Sequence, residues 1–192
     1  MLFALPVFAD VFDHPLTDKS AAEELITAPE KISGDFRQEK LMSTLGVTLK
    51  SNGKFIINKE SGILWQNISP LNNTTIIQRH KICTYTAKQQ LTSLDTSGNE
   101  ALKSILNVIN SIFIQDYTEM AKYFDLYFMP VEGGYELGLV AKDKMLASVI
   151  ERMHVYGGSY IERIEFSDVN KDYTTIYFSE ISEDAENFSC PE

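Results

Sequence analysis

Three histidines, two cysteines and one close pair of carboxylates are the groups from which this chain could build chemistry. His14, His80 and His154 stand apart, and none opens an HExxH run or shares the short spacing of a zinc site. Each reads as a surface or hydrogen-bonded residue, so no metal and no other cofactor is expected. No GxSxG turn is present to expose a serine nucleophile. Gly133-Gly134 and Gly157-Gly158 lack the Lys-Ser/Thr that completes a phosphate loop, and read as turns between strands. Cys83 sits inside a strand-like run and reads as structural rather than as an activated nucleophile. Asp35 and Glu39 are neighbours in sequence only. On a strand, residues four apart lie about 13 Å from one another, too far for a glycosidase pair. No catalytic residue emerges, and the chain does not read as an enzyme.

Composition narrows the classes further. Against 17 basic side chains stand 27 acidic ones in 192 residues, a net charge of −10 that disfavours gripping a nucleic-acid backbone. A 44% hydrophobic content can build a core, whereas two cysteines cannot make a disulfide-dense scaffold. No run approaches the roughly 20 apolar residues that span a bilayer. A single soluble domain is expected. Residues 1–9 (MLFALPVFA) end like a secretory signal but lack its basic start. They read as a residual signal or as a loosely packed leading segment. Export would place Cys83 and Cys190 in an oxidising compartment where they could pair, and the sequence leaves that pairing open.

The elements come next. Residues 18–28 have helical spacing, with a cap at Thr17 or Asp18, and Pro29 ends them. From Ile32 the period falls to two. Strands are expected over residues 32–42, 47–51, 53–59, 62–68, 74–78 and 81–87, with Asn52-Gly53 as a turn. Residues 100–114 then place Leu102, Ile105, Leu106, Ile109, Ile112 and Phe113 at helical spacing, with Ala101 and Val108 widening the stripe. A short helix over 116–123 and a single turn over 142–148 are predicted. Strands return over 124–130, 135–141, 149–156, 159–167 and 173–180, and residues 182–192 read as an acidic tail. Brief connections mean an antiparallel meander, because parallel strands need crossover helices. Ten or eleven such strands must curl, and the helices must cover the concave side. The expected class is mainly β: a strongly curved antiparallel sheet forming an incomplete barrel covered by α-helices. Residues 10–181 make one domain between the leading segment 1–9 and the tail 182–192.

Within that frame Phe55 shares a face with Ile57, Ile63 with Trp65, and Ile176 with Phe178. Such faces are ordinary core material. A bent sheet without the side-chain volume to fill it would instead enclose a cavity fit for hydrocarbon, with the apolar helix as a movable cover.

The ordered set Phe36-Arg37-Gln38, the strand GKFIINK at 53–59, Leu64-Trp65 and Pro70 resembles the LolA family of outer-membrane lipoprotein carriers. The likeness runs over residues 17–180. It implies an incomplete barrel with a helical lid over a hydrophobic cavity that shelters acyl chains. It also implies a periplasmic carrier that takes cargo from an inner-membrane release complex and passes it to an outer-membrane acceptor. A monomer is expected, though the sequence leaves the oligomeric state open. By position, Phe36, Phe55, Ile57, Ile63 and Trp65 line the cavity, and Leu102, Ile105, Leu106, Ile109 and Phe113 belong to the lid. Where the family commonly has an Arg that holds lid carbonyls, this chain has Lys59, which keeps the charge without the planar fork. Residues 157–164 (GGSYIERI) look more like the divergent relatives, which leaves the cargo open between a lipoprotein and another acylated or polyene lipid. The alternative reading keeps the fold and makes it a periplasmic module that senses lipid or lipoprotein.

Overall fold

Period-two patterning from residue 31 onward produces one antiparallel sheet of eleven strands. The structure, a computed structural model, describes residues 10–18, 20–23, 29–78, 81–86, 89–95, 100–142 and 144–191. After a short helix α1 (Ser20–Glu23) come β1 (Lys31–Met42), β2 (Val47–Asn58), β3 (Gly62–Ser69), β4 (Asn73–Gln78), β5 (Lys81–Tyr85) and β6 (Gln90–Asp95). Helices α2 (Glu100–Phe113) and α3 (Tyr117–Tyr123) follow, then β7 (Phe124–Val131), β8 (Gly134–Ala141), helical turn α4 (Lys144–Ala147), β9 (Arg152–Gly157), β10 (Ile161–Ser167) and β11 (Tyr173–Ser182). The order across the sheet is β6-β5-β4-β3-β2-β1-β11-β10-β9-β8-β7. Two meanders therefore meet at β1 and β11, and the edges β6 and β7 stay unpaired with one another. The sheet is curved but not closed, an incomplete barrel. Helices α2 and α3 lead from one edge to the other and cover the inner face, as Ile109 and Phe113 pack on strand residues there. Among the described residues no helix is long and apolar enough to cross a membrane.

Register decides what faces inward. Ile32 pairs with Ile57 and Ile57 with Ile63; Phe55 pairs with Trp65, and Phe36 with Phe178 across the β1–β11 seam. Two glycines leave room for these rings. Gly34 lies opposite Phe55, and Gly53 opposite Phe36. A Cβ on Gly53 would stand 1.8 Å from the Gln66 carbonyl oxygen and 2.9 Å from the Phe36 ring. That crowding corrects the turn expected at Asn52-Gly53. β2 runs straight through both residues, the register shift against β3 falls between them, and the hairpin turn lies instead at residues 43–46. Gly53→Ala is expected to lower stability by about 2–3 kcal/mol, read as a shift of the urea midpoint. Strand β6 carries no clear alternation and was not expected; it pairs with β5 through Ile82–Leu94 and Thr84–Thr92. The strand expected from residue 149 begins at Arg152, because the Ile150 amide still donates to the Leu146 carbonyl and completes the α4 turn.

The outer face is polar. Asp35 meets Lys54 at 2.7 Å, while Glu39 meets Arg37 at 2.6 Å and Lys50 at 3.2 Å, so each of the two carboxylates is matched by cations. Farther round, His154 contacts Glu136 at 3.0 Å and Tyr156 at 2.9 Å, and Arg163 lies 3.7 Å over the Tyr156 ring. Burial holds the His154 imidazole below its ordinary pKa, with Glu136 opposing the shift. The unfolded chain therefore takes up this proton first as pH falls, and stability that is full above the unfolded value near 6.5 declines below it. His154→Gln is expected to flatten the dependence of the urea midpoint between about pH 7 and pH 5.

Residues 12–16 and the segment 183–191 are tied to this outer face and to the β7 edge. Phe12 packs over Gly138, between Tyr127 and His154, with Arg152 3.8 Å above its ring. The Leu16 amide donates to the Leu126 carbonyl and the Phe128 amide to the His14 carbonyl, which covers the β7 edge. At the other end, residues 183–191 do not hang free. Lys31 Nζ donates to the Ala185 carbonyl at 2.9 Å, and Asn58 Nδ2 to Asn187 Oδ1 at 2.9 Å. A disulfide joins Cys83 of β5 to Cys190, Cα to Cα 5.9 Å, within a small cluster with Ile76, Leu64, Tyr85 and Phe188. His80 and residues 1–9 lie outside the described residues.

Candidate functional site: the inner aromatic face

The inner side holds two apolar bodies. Beneath α2 and α3, a solid core of Val108, Ile112, Met120, Phe124, Leu139 and Val155 packs against β7–β10. Across the β1–β11 seam a second body gathers Ile32, Phe36, Phe55, Ile57, Ile63 and Ile176, with Trp65, Phe178 and Phe113 against them. The five residues placed in the cavity from sequence thus come together. Phe36 stacks on Trp65 with ring centres 3.8 Å apart, Phe55 meets Phe178 edge-on at 5.2 Å, and Phe113 of α2 meets Phe178 at 6.0 Å. Phe55 is 1% exposed at the centre.

Helix α2 straddles the two bodies, which is why its apolar stripe is so wide. Val108 and Ile112 enter the solid core while Ile109 and Phe113 lie on the aromatic body. The side chains of Leu102, Ile105 and Leu106 lie outside the described residues. Lys59 ion-pairs with Glu30 at 2.9 Å, just ahead of β1.

Among the described residues, Ile109 and Phe113 of α2 sit directly on the aromatic body. A residual cavity of about 10 Å³ remains, lined among others by Ile32, Phe55, Ile57, Phe113, Gln115 and Phe178. That is the space of about one water molecule. Rings and helix pack closely here because an empty apolar void forfeits dispersion contacts on every wall. A hydrocarbon chain on this face would compete with Phe113 and Ile109 for the same contacts. A larger open cleft, about 360 Å³, lies farther along the inner face. Its walls mix Val149 and Phe166 with Gln38, Lys40, Asp168 and Asp172, and Lys40 is paired to Asp172 at 3.5 Å.

Polar groups near the aromatic body are few. Tyr160 donates to Glu183 at 2.8 Å, and Gln115 Nε2 donates to the Tyr135 hydroxyl at 3.0 Å. Burial raises the Tyr135 phenol far above its ordinary pKa, so it stays protonated at neutral pH. Among the described residues no cluster of titratable groups meets here, and the contacts of the aromatic body are apolar. Sequence reasoning missed Ile32, Phe178 and Gln115 as members of the site. Phe178 had a signal in its alternation with Tyr177 and Ser179, but its partner Phe36 became visible only through the β1–β11 register.

A family model described as outer membrane lipoprotein carrier protein LolA matches residues 28–188. No curated protein matches the chain. Among solved structures, a DUF1329 family protein from Desulfovibrio piger aligns with 12% identity and a TM-score of 0.44, over 86% of this chain and 90% of that one. A LolA superfamily protein from Nitrosomonas europaea aligns with 7% identity and a TM-score of 0.43, over 93% of this chain and 95% of that one.

Proposed function

The chain belongs to the LolA family, and from that premise we propose that it carries the acyl chains of a lipoprotein or another acylated lipid through the periplasm toward the outer membrane. The observation that supports this best is the seating of Ile109 and Phe113 on the aromatic body of Phe36, Phe55, Trp65 and Phe178. Lid and cargo would compete for the same surface. An acyl chain gains about 0.8 kcal/mol per buried methylene, so roughly a dozen carbons supply near 10 kcal/mol of gross binding. A carrier without an energy source must release that cargo again. Reseating α2 returns much of the same apolar contact, which keeps the exchange near balance. The Cys83–Cys190 bond supports an oxidising compartment such as the periplasm. An inner-membrane release complex and an outer-membrane acceptor would be the protein partners.

The test is transfer. Delipidated protein is mixed with donor vesicles holding a fluorescent acylated peptide, then with acceptor vesicles. Saturable uptake followed by concentration-dependent release is expected. Protein that takes up nothing contradicts the proposal, and protein that holds a partner without relieving it of lipid points to the sensing role instead.

A further inference from the structure

At the C-terminal end of α2 the Asp116 amide donates to the Ser111 carbonyl at 2.9 Å and the Gln115 amide to the Ile112 carbonyl at 3.3 Å. This pair of bonds closes the helix with a left-handed residue, a position glycine fills most readily. Here it is Gln115, at φ 55°. Lys171 and Glu180 take a similar φ at exposed positions, whereas the Gln115 side chain is turned inward. Its Nε2 is held by the Tyr135 hydroxyl. Its Oε1 is buried and, among the described residues, accepts no hydrogen bond. The residue also lines the residual cavity beside Phe113, Phe55 and Phe178. Buried acceptors are nearly always satisfied, and leaving one bare is unfavourable.

We infer that Gln115 is the polar anchor of the acyl site, its free oxygen accepting a hydrogen bond from an N–H or O–H at the head of the bound chain. This rests on the carrier reading and adds the ligand class: an acyl chain joined through a secondary amide, or one bearing a hydroxyl there, in preference to one without a donor. Position supports the role. Tyr117 and Met120 fix the start of α3 in the solid core, so residues 114–116 are the pivot about which α2 would move. Gln115, tethered to β8 by Tyr135, keeps its place while Ile109 and Phe113 lift away. A chain entering where they sat would bring its head past this oxygen.

Two fluorescent probes with the same acyl chain test it, one a secondary amide and the other its N-methylated amide, which lacks the donor. Wild-type protein should bind the secondary amide about tenfold more tightly. Gln115→Gly, which suits the left-handed backbone and should hold or raise the melting temperature, should bind both probes equally. Equal binding of the two by the wild type overturns the anchor and leaves the carrier reading standing. Failure of the wild type to bind either overturns both. A preference that survives in Gln115→Gly also overturns the anchor, since the discrimination then lies elsewhere.

Discussion

Phe113→Asp should unseat the C-terminal half of the lid without unfolding the sheet. The ring sits between the aromatic body and the residual cavity, in edge contact with Phe178 at 6.0 Å. Replacing it removes the apolar contact of a phenyl ring, and it forces a carboxylate either to lose its water or to pull away. The two effects together shift the balance of seated and lifted lid by about 3 kcal/mol, or roughly a hundredfold. Three readouts should move together: a polarity-sensitive dye should bind in the absence of lipid, the emission of Trp65 should shift to the red, and the variant should aggregate at lower concentration. Ile109→Asp should act in the same direction. Normal solubility with normal binding of a fluorescent lipid probe would show that α2 is not a movable cover.

Breaking the Cys83–Cys190 bond should have the largest effect on stability of any change to the outer face. It closes a loop spanning 107 residues and pins the last segment over β1–β5. Chain entropy alone assigns such a closure about 4–5 kcal/mol, and measured losses for native disulfides run about 2–5. The Lys31–Ala185, Asn58–Asn187 and Gln78–Cys190 hydrogen bonds depend on the same segment staying docked. Cys190→Ser, or reduction of the wild type, is therefore expected to lower the urea midpoint strongly and to open residues 183–191 to proteolysis. An unchanged midpoint under reducing conditions would mean that the docked segment contributes little.

How much of this was legible in the sequence follows from the range over which each signal acts. Alternation on single strands, with short connections, exposed the meanders and put Phe55 with Ile57, and Ile63 with Trp65, on a face of each strand, while the resemblance alone brought the two pairs to one cavity. The β1–β11 seam was not legible. Phe36 and Phe178 pair from opposite ends of the domain, and no local pattern ties them. Asn52-Gly53 has the composition of a hairpin turn, yet Gly53 is required for the close approach of Gln66 and Phe36, a constraint that exists only once the neighbouring strands are in place. Residues 182–192 are acidic and polar and read as a tail, while Phe188, Ala185 and Cys190 gain their partners from distant strands. Gln115 carried no signal at all. A glutamine after a helix is ordinary until its φ, its tether to Tyr135 and its place on the cavity wall are seen together.

Trp65 is the one tryptophan in the chain, and it stacks on Phe36 within the aromatic body. Its fluorescence therefore reports on this face alone. Delipidated protein titrated with an acyl chain brominated along its methylenes should show saturable quenching of Trp65, matching the uptake measured by equilibrium dialysis. The unbrominated chain should compete it away. Uptake by dialysis with Trp65 emission unquenched would place the chain elsewhere on the molecule and contradict the account.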